Sequence, residues 1–340
     1  MHEEAGQSAR VVRRQLKANG ALMTELGLLL RRMRPVAVVT VGRGSSDHAA
    51  TFAQYLFETR LGVVTSSGAP SVSSLYDASP DMGGMVCLAI SQSGKSPDLL
   101  AAVERAKACG AFVIALVNEA GSPLAELADK VVPLHAGREL SVAATKSYIA
   151  SLSAITHLAA AWAEDQALLD GLHGLPGLLE QAWALDWSAG LEALRDAANL
   201  YTVGRGVGFG VALEIALKFK ETCGVHAEAF SAAEVRHGPM ALVGEGFPIL
   251  ALAQNDQSRP GVDALVEDFA ARGARVLLAC GSAAGPDRPG VERLPAVDAH
   301  PVLEPILYVQ SAYRMLNELS LARGFDPDRP PYLNKITETV

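Results

Sequence analysis

The pentapeptide Thr-Val-Gly-Arg-Gly occurs at Thr40–Gly44 and again at Thr202–Gly206, 162 residues apart. The spacing persists beyond the pentapeptide. Ala50 falls on Ala212, Gly62-Val63 on Gly224-Val225, Ala89-Ile90 on Ala251-Leu252 and Gln92 on Gln254. With one residue slipped, Gly110-Ala111-Phe112-Val113 falls on Gly273-Ala274-Arg275-Val276. Matches held at steady spacing over such a stretch indicate one fold used twice. The copies differ at one loop, which reads Ser91-Gln92-Ser93-Gly94 in the first and Ala253-Gln254-Asn255-Asp256 in the second.

A chain of 340 residues exceeds what one core usually serves and suits two domains of about 150 residues each. Half of it is apolar, as in soluble globular proteins. A net charge of −8 argues against a nucleic-acid or membrane-surface binder, because both need clustered cations. The cluster Arg31, Arg32 and Arg34 suits a helix C-terminus. No apolar run is long enough to span a bilayer, and Met1-His2-Glu3-Glu4 does not resemble a secretory signal. Cys87, Cys109, Cys223 and Cys280 show no C-x-x-C pairing and sit in apolar stretches, so reduced core thiols and a cytoplasmic location are expected.

Apolar positions at helical spacing predict one or two leading helices over 8–33. Val36–Val41 is a continuous apolar run ending at Gly42, as in a buried parallel strand. Similar runs recur at 85–90, 112–117 and 130–134, separated by helix-like stretches at 47–59, 97–109 and 123–129. This alternation implies a parallel sheet covered on both faces. An Ala-rich, buried helix is expected over 143–162, then a helical connector broken at Leu175-Pro176-Gly177. The second unit repeats the alternation through 200–203, 247–253, 263–272, 274–278 and 302–323. The resulting division is an N-terminal helical segment (1–34), a first domain (35–165), a connector (166–197), a second domain (198–324) and an extended, proline-stiffened tail (325–340).

Ser91-Gln92-Ser93-Gly94-Lys95-Ser96-Pro97 follows a strand and opens a helix. At such a junction free backbone N–H groups and the helix dipole favour an anion. An ordinary Ser/Gly turn with an N-cap fits the segment alone equally well. The second copy favours the anion reading, since Asp256 there replaces the glycine and would repel phosphate. Gly42-Arg43-Gly44-Ser45-Ser46 ends the first strand of the same sheet, so both Ser-rich loops are expected at one crevice. The G-x-G lacks the third glycine and downstream acid of a dinucleotide site.

Val211–Glu221 reads as a helix with Glu214, Lys218 and Glu221 on one face. A solvated ion-pair ladder is the ordinary meaning of that pattern, but the apolar remainder of the helix favours a stripe facing a site. His237, before a Gly-Pro break, is placed to exchange protons near neutral pH. His48, His157, His173 and His300 are read as structural, and no His pair has zinc-ligand spacing.

Taken together, Ser91–Ser96, Ala216–Glu221 with His226-Ala227-Glu228, Glu234–Pro239 and the terminal Leu333-Asn334-Lys335 resemble the sugar isomerase (SIS) domain family. The likeness is to its tandem form in the isomerase half of glucosamine-6-phosphate synthases. The resemblance implies two α/β domains, each a parallel sheet flanked by helices in a three-layer, flavodoxin-like arrangement. It implies that Ser91, Gln92, Ser93 and Ser96, assisted by Ser46, hold a sugar phosphate, and that Ser45, Val142 and Ala144 lie along the sugar. By the same resemblance Glu221 shuttles a proton between C1 and C2, and His237 opens the ring from the neighbouring subunit of a homodimer. Lys335 forms a Schiff base with the ketose carbonyl, and Glu139 and Lys218 support. No metal or organic cofactor is implied.

Departures from the family pattern narrow the expectation. No glutaminase region precedes the isomerase-like part of this sequence, Lys95 stands where the synthases usually have an acid, and Ala144 where they usually have serine. The expected reaction is conversion of glucosamine-6-phosphate to fructose-6-phosphate and ammonia. Alternatives are a fructosamine-6-phosphate deglycase, a plain aldose–ketose isomerase, or a non-catalytic sugar-phosphate-binding regulator.

Overall fold

The computed structural model describes residues 1–76, 78–282 and 288–335. The last five residues of the expected 325–340 tail lie outside that range. The chain divides into two compact units. One comprises 10–139, 146–173 and the C-terminal residues from Asn334; the other comprises 1–9, 140–145 and 174–333.

In the unit that carries the first repeat, β1 (Val38–Val41), β2 (Thr65–Ser67), β3 (Val86–Ser91), β4 (Phe112–Val117) and β5 (Lys130–Pro133) form a parallel sheet ordered β2-β1-β3-β4-β5. The central strands β3 and β4 are buried almost throughout, which is why they read as unbroken apolar runs. Helices α5 (Pro97–Ala108) and α6 (Pro123–Leu127) cover one face through Leu99, Val103, Ala106 and Leu124. Helix α3 (Ser45–Leu61) packs on α7 (Lys146–Ala163), and the short α4 (Pro70–Ser74) packs on α5. The leading helix α2 (Ser8–Met33) buries Val11, Val12, Gln15, Asn19, Met23, Leu26 and Leu30, the 3–4 spacing of one helical face. Gln15 donates to the carbonyls of Leu134 (3.0 Å) and Ala150 (2.9 Å).

The unit of the second repeat contains β6 (Asn199–Gly204), β7 (His226–Ser231), β8 (Pro248–Leu252), β9 (Arg275–Cys280) and β10 (Val291–Pro295), again all parallel. Their order, β7-β6-β8-β9-β10, repeats that of the first sheet strand for strand. Helix α11 (Arg259–Ala271) covers one face with Val262, Leu265, Val266 and Phe269. On the other lie α10 (Val207–Cys223) and α12 (Glu304–Ala322), and the short α1 (His2–Gly6) and α9 (Ser188–Leu194) pack on α12. The one fold used twice that the repeat indicates, and the two α/β domains of parallel sheet and flanking helices that the resemblance implies, are what the structure contains.

Several local expectations are corrected. The connector does not break at Leu175-Pro176-Gly177: α8 runs unbroken over Gln166–Ala184 with Pro176 inside it. Leu168, Leu172, Leu175, Leu179 and Ala182 are buried along one face, and that packing offsets the hydrogen bond the proline cannot make. The helix expected from Ala143 begins at Lys146 instead. Backbone N–H groups just upstream are engaged elsewhere, Leu140 and Ser141 with the Glu4 carboxylate and Val142 with the Asp328 carbonyl. The tail is turned at Asp326–Arg329 rather than extended: Asp328 N–H donates to the Asp326 carboxylate (2.9 Å) and Arg329 N–H to the Asp326 carbonyl (3.1 Å). Strands β2, β7 and β10 were not anticipated.

Candidate active site

A sheet ordered 2-1-3-4-5 has its topological switch between the first and third strands, and ligands bind beyond the carboxyl ends of the strands there. In the first-repeat unit that point lies between β1 and β3, which pair directly. Both Ser-rich segments are therefore at the switch. Helix α3 starts at Ser45, earlier than expected, so Ser45 and Ser46 occupy its first two positions, half-buried. Ser91 ends β3, and its buried hydroxyl accepts from the Gly94 N–H at 2.9 Å while keeping its own proton to donate. The Lys95 N–H donates to Ser93 Oγ at 3.3 Å. Gly94 adopts φ +65°, and its carbonyl accepts from Leu124 N–H at 3.2 Å. Ser96 precedes α5 in an extended conformation, with Pro97 at the first helical position. Gln92 is half-buried in the same loop.

The corresponding loop of the second-repeat unit is closed on itself. Asp256 Oδ1 accepts from the Ser258 N–H (2.8 Å) and hydroxyl (2.5 Å). The Asn255 N–H donates to the buried Glu304 carboxylate at 2.6 Å. Gln254, fully buried, donates to the Arg205 carbonyl at 2.6 Å. Carboxylates thus take amide donors that an anion would need, and the expected loss of this loop has a structural cause.

Glu214, Lys218 and Glu221 do share one face of α10, but they are no solvated ladder. Lys218 Nζ lies 3.2 Å from Glu214 Oε1 and 2.6 Å from Glu221 Oε2; Lys218 and Glu214 are buried, while a fifth of the Glu221 side chain is exposed. Burial pulls the Lys218 pKa down, yet Glu214 and Glu221 together outweigh it and leave it raised. The Tyr313 hydroxyl, from α12, donates to Glu214 Oε1 at 3.0 Å. His237 ends a short 3-10 turn (Glu234–His237) and is exposed, and the following Gly238 has φ +146°.

Lys335 and Glu139 meet in the first-repeat unit, with Nζ 3.0 Å from Glu139 Oε2. Glu139 is fully buried at its side chain and accepts from the Ser147 hydroxyl (2.7 Å) and N–H (3.2 Å). Val142 and Ala144 belong to the stretch 140–145, which packs with the other unit, where the Glu4 carboxylate accepts from the Leu140 (2.5 Å) and Ser141 (3.1 Å) N–H groups. Sequence reading missed Glu4, Tyr313 and the Arg43–Asp98 pair. Each acts across a separation that no local pattern encodes. His157 is buried, and burial followed by the neighbouring His173 lowers its pKa to about 4, as suits a structural histidine. The four cysteines are free thiols, and burial raises Cys87 to about 12. Among the described residues no cluster of three His, Cys, Asp or Glu could hold a metal, and no helix is long and apolar enough to cross a membrane.

Two SIS domain matches, residues 34–161 and 193–286, fall on the two sheets, and the chain belongs to this family. The glutamine–fructose-6-phosphate aminotransferase (isomerizing) of Aeropyrum pernix is 35% identical over 335 residues, covering 94% of this chain and 53% of that protein. The chain spans about half the length of such curated relatives. Among solved structures, a Silicibacter pomeroyi protein provisionally described as a phosphosugar isomerase superposes with a TM-score of 0.91 at 40% identity, covering 96% of this chain and 99% of that one. The C-terminal domain of glucosamine-fructose-6-phosphate aminotransferase from Francisella tularensis gives 0.86 at 26% identity, covering 96% and 97%.

Proposed function

We propose that the protein is a phosphosugar isomerase that acts on an amino sugar phosphate, converting glucosamine-6-phosphate and water to fructose-6-phosphate and ammonia. The observation that carries this reading is the Lys335–Glu139 pair, a lysine held against a buried, serine-braced carboxylate in the unit that also bears the Ser91–Ser96 loop. A lysine so placed supplies the amine that carbonyl chemistry uses, and its contact with Glu139 anchors it in that unit. Kinship with an aminotransferase that isomerises fructose-6-phosphate supports the substrate class.

In this reading Ser46, Ser91, Gln92, Ser93 and Ser96 bind the phosphate, and Ser45, Val142 and Ala144 line the sugar. His237, contributed by the neighbouring subunit of a homodimer, protonates the ring oxygen and gives the open aldehyde. Glu221 takes the C2 proton and returns it to C1 while a second proton passes from the substrate nitrogen to O1, so that the double bond moves from C1=O to C2=N; Lys218 holds Glu221 oriented and stabilises the charge that develops. The Lys335 amine attacks C2, the C2–N bond to the substrate nitrogen breaks, and ammonia leaves. Water then hydrolyses the lysine imine, giving the ketose and restoring Lys335.

The test supplies purified protein with glucosamine-6-phosphate and measures ammonia and fructose-6-phosphate. Equimolar release, abolished by Lys335→Ala, is expected. Borohydride with fructose-6-phosphate should trap an adduct on Lys335. Turnover that survives Lys335→Ala would refute the lysine chemistry. Release of free glucose-6-phosphate from a fructosamine substrate, or isomerisation without ammonia, would assign the deglycase or plain isomerase instead.

A further inference from the structure

Arg43 is the arginine of the first TVGRG segment, and it reaches the helix that follows the Ser91–Ser96 loop. Its Nε lies 2.9 Å and its Nη2 2.8 Å from the same oxygen, Oδ2 of Asp98. Asp98 stands in the first turn of α5, and its other oxygen accepts the Leu99 N–H at 2.8 Å. Its side chain is 2% exposed, whereas that of Arg43 is 54% exposed.

A carboxylate in the first turn draws on the same helix field that a bound phosphate uses. Buried charge is poorly screened by salt. Unpaired, Asp98 would oppose a dianion at residues 91–96, immediately upstream on the chain. Arg43 cancels that charge, and it does so from the loop that carries Ser45 and Ser46, so the pair joins the two Ser-rich segments across β1 and β3. The second copy offers an internal control. Arg205 matches Arg43, but Asp98 falls on Pro260, or on Gly261 with the one-residue slip, and the loop there is filled by Asp256. The acid that needs neutralising occurs only in the copy that keeps the glycine loop.

We propose that the Arg43–Asp98 pair is an electrostatic lock that sets the affinity of the Ser91–Ser96 loop for dianionic phosphate esters, with Arg43 acting by neutralising Asp98. The proposal rests on the phosphosugar reading above and adds a positioning residue to it. Its test is calorimetric titration of the full chain with fructose-6-phosphate, inorganic phosphate and, as a neutral control, fructose. Arg43→Gln should weaken both phosphates roughly tenfold, the scale of one charge interaction near a protein surface, and leave fructose unchanged. The loss should be larger at pH 8 than at pH 5.5, because a phosphate monoester gains its second charge near about pH 6. Asp98→Asn should bind at least as tightly as the parent, and Arg43→Gln/Asp98→Asn should recover to within about threefold of it. Arg43→Lys, which keeps the charge, should also stay within about threefold and guards against misfolding of the glutamine variant. An unrecovered double variant, or unchanged binding by Arg43→Gln, overturns the lock while leaving the phosphosugar reading intact. A parent chain that binds neither phosphate overturns both.

Discussion

Gly94 is the residue on which the Ser-rich loop turns, and Gly94→Ala is a demanding test of the site. A Cβ placed there would overlap Ser122 Oγ and lie 2.7 Å from Ser122 Cβ and 2.9 Å from Val117 Cγ2. A rotamer change of Ser122 moves only its hydroxyl, which caps α6 by accepting the Ala125 N–H; the Cβ stays in the way. The left-handed φ of +65° adds about 1–2 kcal/mol for any L side chain. Overpacking of this kind costs about 1–3 kcal/mol. Together they predict a loss of roughly 2–5 kcal/mol, or relief by displacement of the loop that also breaks the Leu124-to-Gly94 hydrogen bond.

Native-state hydrogen exchange of the β3 amides reads this unit specifically, and titration with fructose-6-phosphate reads the loop. The variant should lose protection in β3 by the stated amount and bind at least tenfold more weakly, roughly 1.4 kcal/mol in affinity. Ser122→Gly combined with Gly94→Ala removes both serine contacts and should recover about 1–2 kcal/mol, with the backbone penalty remaining. Protection within about 0.5 kcal/mol of the parent, together with unchanged binding, would show that the loop accommodates a side chain and that its glycine is not required for shape.

Three further outcomes follow from buried charge. Lys218→Met leaves Glu214 and Glu221 facing each other without their cation, and should cost about 3–5 kcal/mol in hydrogen-exchange stability of the second-repeat unit, part of it returned by adding Glu214→Gln. His157 has a folded pKa of about 4, below its value of about 6.5 in the unfolded chain, so it is without penalty above pH 6.5 and destabilises progressively as pH falls toward 4. His157→Gln should therefore lose about 2–3 kcal/mol less than the parent between pH 7 and pH 4, measured by urea unfolding at each pH. Glu4→Ala removes the acceptor shared by the Leu140 and Ser141 amides; faster exchange at those two positions, by about 2 kcal/mol, is the expected readout.

What the sequence revealed and what it hid divide along physical lines. Strands β3, β4, β8 and β9 are central and buried on both faces, so each is a continuous apolar run that can be read without a structure. Strands β2, β7 and β10 read Thr-Ser-Ser, His-Ala-Glu-Ala-Phe-Ser and Val-Glu-Arg-Leu-Pro, patterns with no such run. They are edge strands, held by pairing to β1, β6 and β9, and that information resides in the partner. In the same way, the i, i+4, i+7 spacing placed Glu214, Lys218 and Glu221 on one face, but burial of the triad depends on α12, which brings Tyr313 from 99 residues beyond Glu214. Lys335 finds Glu139 across 196 positions. Spacing encodes what a single helix does; charge partners chosen by tertiary folding leave no local trace.

The two equivalent loops differ in what meets their amide donors: neutral serine hydroxyls in the first copy, carboxylates in the second. A strand-to-helix junction at the switch point presents amide donors whatever the sequence, so each copy starts with the capacity to attract an anion. That capacity must be met by something, because buried donors left unpaired are costly. In the second copy it is met by carboxylates of the chain itself. Asp256 binds the Ser258 amide and hydroxyl, and Glu304 binds the Asn255 amide. Burial pushes the Glu304 carboxyl up, opposed by the hydrogen bonds it accepts from the Asn255 and Ala299 amides and the Tyr308 hydroxyl. In the first copy the loop glycine replaces the internal carboxylate, and the acid that remains nearby, Asp98, is turned onto Arg43. The distinction between the copies is therefore one of where negative charge comes from: the chain itself in one, and on the reading developed above, a phosphate in the other.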